Sequence, residues 1–353
     1  MSVLDLARAE LRSLQAYASA RMEADGGAVL LNANESAWAP AGDDGAGCHR
    51  YPQPQPAELV ARLADLYRVR RGQLLATRGS DDAIDLLVRA FCRAGSDAVL
   101  VQPPTFGMYA VAAQIQGAGV VEVPLGDDFR LDVDAVLAAL APAVKLVFVC
   151  APNNPTGQGV PRDELERLAG ATAGRALLVV DEAYVEFADG RSVSDLLDRH
   201  EHLVVLRTLS KAWALAGARV GSVLAHAEVV GLLGRIMPPY PLGRPSVQAA
   251  LRALSTEGRE RTRGHIGMIR AERERMAAAL RALPSVRAVL PSQANFLTVR
   301  FAEAGMAFRR LLGTGIVVRD VRRYPGLADA LRVTIGTPGE NDLVLGALRE
   351  AAA

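Results

Sequence analysis

The chain has 353 residues, enough for roughly two domains of about 150 residues each. Its 40 basic and 39 acidic side chains leave a formal charge of +1, which argues against nucleic acid or an anionic membrane as the main partner. Half of the residues are hydrophobic (50%), but their runs are far shorter than the roughly 20 residues that a membrane span requires, so we expect a soluble protein.

The cysteines do not form a pattern typical of disulfides or zinc sites. Cys48, Cys92 and Cys150 are odd in number and widely spaced, without CxxC or Cys/His spacing. The first residues also lack the basic segment and apolar run of a secretory signal. We therefore expect a reduced, cytoplasmic protein without a metal site.

The part of the chain that begins near residue 56 alternates helical periodicity with short apolar runs. Helical spacing is present at 56–67, 81–94, 132–141 and 162–172. Apolar runs typical of strands buried on both faces of a sheet lie at 98–102, 119–123, 145–150, 176–181, 203–208 and 218–225. Repeated βα units of this kind predict an α/β fold with a mostly parallel sheet flanked by helices.

Proline and glycine clusters at 237–245 interrupt this alternation and predict a domain boundary. The residues that follow predict a smaller α+β C-terminal domain, with a long helix at 261–283, strands at 295–301, 315–320 and 330–336, and helices at 307–313 and from Glu340 onward. We accordingly divide the chain into an N-terminal arm packed with the small domain, a large domain and a small domain, at residues 1–27, 28–240 and 241–353.

A loop rich in proline and glycine is expected at 38–56. Composition alone leaves open whether this loop is structural or belongs to an active site. Within it, we expect residues 38–48 to be mobile, or to be ordered only by a partner subunit.

Polar residues follow several of the predicted strands, at the edge of a parallel sheet where ligands bind. APNNPTG (151–157) follows one strand, and by itself is also typical of an ordinary proline turn. Asp181 ends another strand, where a carboxylate either caps a turn or holds a positively charged ring nitrogen. Asn154, Asp181 and Tyr184 thus lie at the ends of two successive predicted strands, in one order.

A lysine follows hydroxyl residues in RTLSKAWALAGARVG (207–221). A single lysine is usually solvated at the surface, but a desolvated one is a nucleophilic amine that forms a Schiff base with an aldehyde. Lys211 is joined by Arg219 further along the segment. Because both share a sheet edge with the preceding polar residues, their conjunction favours a site.

A fourth motif places Gly79, Ser80 and Asp81 at the start of a predicted helix. Exposed N–H groups and the positive end of the helix dipole suit a phosphate there, and a plain N-cap by Ser80 is an equally good interpretation of these residues alone. No phosphate-binding GxxxxGK[ST] loop is present in the sequence.

Taken together and in order, these motifs resemble the fold-type-I pyridoxal-phosphate aminotransferases, over nearly the whole chain. The likeness is closest to the subgroup that acts on L-histidinol phosphate. It is carried by LNANES (31–36), RYPQPQP (50–56), RGSDD (78–82), PPTFGMY (103–109), NNPTG (153–157), DEAY (181–184), RTLSKAWALAGARVG (207–221), PYPL (239–242), ANF (294–296), VVRD (317–320) and LRVTIG (331–336).

The resemblance implies pyridoxal 5′-phosphate as the cofactor and assigns its contacts. Lys211 would carry the cofactor aldehyde and move a proton, and Asp181 would keep the ring nitrogen protonated. The other ring contacts would be Asn154 and Tyr184 at the phenolic oxygen and Phe106 on the ring face. The implied phosphate contacts are the backbone at Ser80 and Asp81, together with Thr208, Ser210 and Arg219, and Tyr51 from the neighbouring subunit of a homodimer.

The resemblance also implies substrates and their contacts. Arg332 would bind the carboxylate of glutamate or the phosphate of the amino alcohol, and Arg319, Tyr17, Asn32, Asn154 and Tyr240 would be the remaining contacts. The implied reaction interconverts L-histidinol phosphate and 2-oxoglutarate with 3-(imidazol-4-yl)-2-oxopropyl phosphate and L-glutamate, in histidine biosynthesis.

Three alternatives remain open at this point. An aromatic amino-acid aminotransferase and a threonine-phosphate decarboxylase of the same fold share the cofactor machinery. A regulator or sensor that uses this fold would need a basic DNA-binding segment, which the charge of +1 does not favour.

Overall fold

A computed structural model describes residues 2–17 and 29–349. Its larger sheet is mostly parallel, as predicted. The strand order in that sheet is β1-β7-β6-β5-β4-β2-β3. All neighbours from β6 to β3 are parallel, and β7 runs antiparallel to both β6 and β1. The strands are β1 Leu74–Thr77, β2 Ala98–Val101, β3 Gly119–Glu122, β4 Val144–Cys150, β5 Leu177–Asp181, β6 Leu203–Thr208 and β7 Gly221–Ala225.

Helices cover both faces of this sheet. Successive residues of β5 face opposite cores, with Leu178 and Val180 on one side and Leu177 and Val179 on the other. Every residue of β5 is buried, as a central parallel strand requires. The helices around the sheet are α1 Ala9–Arg12, α2 Ala57–Tyr67, α3 Ser80–Phe91, α4 Met108–Gln116, α5 Val133–Ala138, α6 Arg162–Thr172, α7 Ala227–Ile236 and α8 Arg244–Ala253.

The prediction that every apolar run is buried on both faces is wrong for 119–123. Gly119 and Glu122 of β3 are exposed, because among the described strands β3 pairs only with β2 and forms one edge of the sheet. β1 was not predicted as a strand at all. It forms the opposite edge, although each of its four residues is buried.

A second sheet forms the smaller C-terminal unit, and this confirms the predicted α/β fold class with a large and a small part. Its strands run antiparallel in the order β10-β11-β9-β8. The predicted strand 315–320 is reduced to Arg319–Asp320. The elements are α9 Thr256–Arg281, β8 Val286–Val289, β9 Phe296–Phe301, α10 Ala304–Gly313, β10 Arg319–Asp320, β11 Ala330–Thr334 and α11 Pro338–Arg349.

The boundary between the two cores lies further along the chain than the predicted position after residue 240. Leu242 and Ala250 belong to the core of the large sheet, and Ile266 packs against it. Met276 and Leu280 of the same helix, α9, belong to the core of the small sheet. The proline and glycine cluster therefore marks a turn before α8, and the change of core occurs within one continuous helix.

The N-terminal arm also differs from the prediction in its described part. Val3 and Ala7 are buried in the core formed by α3 and α7 on the large sheet, and the Arg8 N–H donates to Ala90 O at 3.1 Å. Residues 2–12 thus pack on the large sheet, because two apolar side chains four positions apart cover the apolar surface between those helices. Residues 18–28 lie outside the described part of the chain.

Residues 38–56 contain no helix or strand, as predicted for this loop. In the described ranges 2–17 and 29–349, no helix is both long and apolar enough to cross a lipid bilayer.

Gly221 allows the start of α3 to approach β7 closely. A Cβ at Gly221 would lie 2.5 Å from the Gly79 carbonyl carbon and 2.8 Å from Ser80 N, both of them backbone atoms. Gly221→Ala should therefore lower the free energy of unfolding of the apoprotein by about 3 kcal/mol. Gly231→Ala is the control, since Gly231 is exposed in α7 and its Cβ would meet only an Arg235 nitrogen at 3.9 Å.

In a helix interior, Gly231→Ala should raise the free energy of unfolding by about 0.5–1 kcal/mol. Urea denaturation of both apoproteins at one protein concentration measures the two effects. Equal changes for the two substitutions would contradict the close approach at Gly221.

Candidate active site

A cleft of about 260 Å³ lies at the carboxyl ends of β4, β5 and β6, where a parallel sheet binds ligands. It is closed on one side by the small sheet. The structure brings together in this cleft most of the predicted site residues, namely Ser80, Asp81, Phe106, Asn154, Asp181, Tyr184, Thr208, Ser210, Lys211, Arg219, Arg319 and Arg332.

One end of the cleft is built to hold an anion. Arg219 Nη2 lies 3.3 Å from Asp81 Oδ2 and its Nη1 donates to Ser210 Oγ at 3.4 Å, so the guanidinium is fixed beside the N-terminus of α3. Gly79 precedes this helix with φ +82°, and a Cβ there would lie 2.6 Å from Arg219 Nη2. Glycine is thus required, and the resulting cradle combines backbone N–H groups with a cation, as a phosphate prefers.

Lys211 supplies the amine of the cleft. The residue is exposed to the open cleft, and the surrounding walls still remove enough water to lower the pKa of its amine. The positive charge of Arg332 lowers that pKa further. Its Nζ lies 5.6 Å from the centre of the Tyr184 ring, and forms no hydrogen bond or ion pair within the described residues. An amine of this kind is suited to nucleophilic attack on a carbonyl.

Asp181 is a buried carboxyl group at the floor of the cleft, 2% exposed. Its Oδ2 accepts a hydrogen bond from Tyr109 Oη at 2.8 Å and its Oδ1 accepts one from Ala183 N at 3.1 Å. Burial raises the pKa of Asp181 to about 6, although both hydrogen bonds act in the opposite direction. The group is therefore ready to accept a positive partner, which would offset the cost of burying its charge.

The turn after β4 joins the two sheets. Asn153 orders it, donating through Nδ2 to Pro104 O and to Thr156 Oγ1, each at 2.9 Å. From the small sheet, Thr298 Oγ1 donates to Pro155 O, and Arg332 Nη1 donates to Asn154 Oδ1. Asn154 is thereby held at the point where the two sheets meet.

Two arginines enter the cleft from the small sheet. Arg319 on β10 and Arg332 on β11 are direct cross-strand partners. Burial lowers the pKa of Arg332, and the adjacent charge of Arg319 lowers it further. In the described part of the chain, neither forms an ion pair with an acidic side chain, so the pair can bind an anion.

Four predicted residues do not line this cleft within one chain. Tyr17 is 73% exposed and Asn32 is also exposed. Tyr51 lines a different cavity, of about 560 Å³, and stacks on Tyr240 with ring centres 4.4 Å apart.

Other residues at the cleft were not predicted. Cys150 and Ala183 line it next to predicted positions, and Tyr324 lines it from the turn after β10. Cys150 ends β4, so the strand-end criterion that identified Asp181 could have found it. Tyr109 lies behind the cleft and contacts Asp181 from the first turn of α4, a position to which the strand-end criterion does not apply.

Comparison with known proteins identifies close relatives over the full length. The sequence model of the family described as "Aminotransferase class I and II" matches residues 27–348. A protein of Xanthomonas euvesicatoria pv. vesicatoria named histidinol-phosphate aminotransferase is 53% identical over 352 residues, covering 99% of this chain and 97% of its own length.

Solved structures share the fold. The histidinol-phosphate aminotransferase of Sinorhizobium meliloti, in complex with pyridoxal-5′-phosphate, is 27% identical with a TM-score of 0.79 and covers 91% of this chain and 90% of its own. L-threonine-O-3-phosphate decarboxylase of Porphyromonas gingivalis is 23% identical with a TM-score of 0.74, covering 89% and 97%. The second likeness is one of fold alone.

Proposed function

The chain belongs to the aminotransferase class I and II family, and from this premise we propose that it transfers an amino group between L-histidinol phosphate and 2-oxoglutarate. The products are 3-(imidazol-4-yl)-2-oxopropyl phosphate and L-glutamate. The reaction serves histidine biosynthesis in the cytoplasm.

One observation carries this proposal: a single cleft joins the Lys211 amine to two separate cationic groups. Arg219 forms the first at the start of α3, and Arg319 and Arg332 form the second on the small sheet. An enzyme that exchanges an amino group between two anionic substrates needs one lasting anion site for its cofactor and another that both substrates occupy in turn. The planar fork of arginine binds carboxylate and phosphate alike.

The cofactor of the proposed reaction is pyridoxal 5′-phosphate, and the residues present fit it. When bound, it supplies an electron sink for the negative charge that develops at the substrate carbon. The Gly79 cradle suits its phosphate, and buried Asp181 suits its ring nitrogen. We assign the backbone N–H groups of Ser80 and Asp81, together with Thr208, Ser210 and Arg219, to the phosphate. Phe106, Asn154, Asp181 and Tyr184 are assigned to the ring.

Lys211, Asp181 and Tyr184 are the proposed catalytic residues. Lys211 would hold the cofactor, and its amine would take up and return the proton of the substrate carbon. Burial lowers the pKa of this amine, which favours its action as a base. Asp181 holds the positive charge at the ring nitrogen. Tyr184 is buried beside the Lys211 amine, and burial raises the pKa of its phenol, so it stays a neutral hydrogen-bond donor.

The substrate contacts are proposed as follows. Arg332 binds the carboxylate of glutamate or the phosphate of histidinol phosphate, and Arg319 adds a second charge. Since Asn154 contacts Arg332, it joins the cofactor side to the substrate side. Tyr17, Asn32 and Tyr240 complete the proposed set.

We further propose a homodimer in which Tyr51 reaches the cofactor phosphate of the neighbouring subunit. The segment that carries Tyr51 exposes Val29, Leu31 and Trp38, at 75%, 85% and 82%. Exposed apolar side chains in one segment are typical of an interface. Tyr240 stacks on Tyr51, so we assign it to the same contact.

An absorbance titration of the purified holoenzyme tests the reaction. L-histidinol phosphate should convert the cofactor to its aminated form, and 2-oxoglutarate should reverse the change. Arg332→Met should raise the L-histidinol phosphate concentration needed by about 100-fold, because a charged, bidentate contact is lost. Arg300→Met is the control, since Arg300 lies on the same sheet and pairs with Asp329 outside the cleft.

Phenylalanine, threonine phosphate and glutamate are titrated in parallel. A stronger response to phenylalanine, or release of carbon dioxide from threonine phosphate, would replace the proposed substrate with one of the alternatives. A protein that binds the cofactor and responds to no amino donor would instead be a sensor.

A further inference from the structure

Tyr109 of α4 is the residue that contacts the carboxylate of Asp181 from behind the cleft. Its Oη donates to Asp181 Oδ2 at 2.8 Å, and both side chains are buried. We propose that Tyr109 is a positioning residue for the reaction, which fixes the orientation of the Asp181 carboxylate and favours its ionised form. This inference rests on the proposed function, because Asp181 is there the partner of the cofactor ring nitrogen.

The Tyr109 ring is held in place on two sides. It stacks on Phe148 of β4 with ring centres 4.7 Å apart and planes 7° from parallel. Its edge meets Phe106, with ring centres 5.6 Å apart and planes at 82°. These two aromatic contacts hold the Tyr109 ring beside Asp181, and Tyr109 in turn packs against the Phe106 side chain that lines the cleft.

The two oxygens of Asp181 have different donors. Oδ1 is fixed by the Ala183 N–H, and Oδ2 by the Tyr109 hydroxyl. Since one donor comes from the turn after β5 and the other from a separate helix, the plane of the carboxylate is determined from both sides. Removal of the phenol hydroxyl alone would leave Oδ2 buried without a side-chain donor.

The groups around Asp181 have opposing effects on its ionisation, so the hydrogen bond from Tyr109 contributes to the balance. Lys211 favours the ionised carboxylate, whereas Asp81 and burial oppose it. The Cys150 thiol and the Tyr184 phenol also face this region, and burial raises the pKa of both groups, so they stay neutral. Burial raises the pKa of the Tyr109 phenol well above its usual value too, which keeps its proton available for donation to Asp181.

Tyr109→Phe tests the inference, because it removes the hydroxyl and leaves the stacked ring. In the apoprotein labelled with carboxyl-¹³C aspartate, the pKa of Asp181 measured by NMR should rise by about one pH unit. In the holoenzyme, kcat should fall about 10-fold with KM for L-histidinol phosphate unchanged. The pH profile of kcat should shift to higher pH. Tyr67→Phe is the matched control, since Tyr67 is also a buried tyrosine and lies in the core on the opposite face of the large sheet.

Each outcome has one meaning. If the Asp181 pKa and kcat of Tyr109→Phe equal those of the Tyr67→Phe control, the positioning role is overturned. If the wild-type holoenzyme does not react with L-histidinol phosphate, the proposed function fails. The apoprotein titration still decides whether Tyr109 sets the state of Asp181.

Discussion

Replacing Lys211 by alanine should lower kcat for amino transfer by at least about 10⁴-fold, because the variant loses the amine that carries the cofactor and moves the proton. The chain contains only two lysines, Lys145 and Lys211. Lys145 lies on β4 away from the cleft, where its Nζ donates to Pro142 O at 2.8 Å. Lys145→Ala should therefore keep wild-type turnover.

The two-lysine composition also makes a direct chemical test simple. Borohydride reduction of the holoenzyme should fix the cofactor to one side chain, and peptide mapping should find it on Lys211 alone. Label on Lys145, or near-normal turnover by Lys211→Ala, would contradict the assignment of the amine.

Asp181→Asn should lower kcat by about 10³-fold, because an amide cannot balance a positive charge at the ring nitrogen. In the apoprotein, by contrast, the same substitution should raise the free energy of unfolding above about pH 6. Burial raises the pKa of Asp181 to about 6, above the ordinary value of 3.8. The folded state therefore binds more protons than the unfolded state between about pH 4 and pH 6, and stability falls as pH rises through that window.

Across this pH window, the free energy of unfolding of the wild-type apoprotein should fall by an amount on the order of 3 kcal/mol. Asp181→Asn has no group to titrate there, so above pH 6 its apoprotein should be more stable than the wild type. With cofactor bound, the order should reverse, because the ring nitrogen then offsets the buried charge of the wild type. Urea denaturation of both forms at pH 4.5 and pH 7.5 measures this, and an apo variant less stable than wild type at both pH values would refute it.

The predicted site residues that depend on topology could be found from the sequence alone. Asn154, Asp181 and Thr208 each follow or end an apolar run, and the carboxyl ends of parallel strands share one edge, so their proximity is a consequence of the fold. α2 and α6 were predicted almost to the residue because their apolar positions recur at helical spacing.

Contacts between distant segments had no comparable signal. The position of Arg332 against Asn154 depends on how the small sheet meets the large one, and only the family resemblance indicated that the two residues belong to one site. Tyr109 was missed because an aromatic side chain within a helix is usually part of a core. Its hydroxyl has a role only through its hydrogen bond to Asp181, which is distant in the sequence. The boundary near 240 was misplaced, because glycine and proline mark a turn equally well within a domain as between domains.

The position of β1 in the large sheet determines when the site can form during protein synthesis. Among the described strands, β1 pairs only with β7, and Thr77 lies opposite Gly221. A nascent chain that ends before Gly221 already contains Asp181 and Lys211. In that chain, however, β1 still lacks its partner strand β7, and the backbone at Gly79 lacks the Gly221 backbone that packs against it. Because so long a loop must close first, the phosphate site is completed only after β7, Gly221–Ala225, has been synthesised, and cofactor capture awaits that stage.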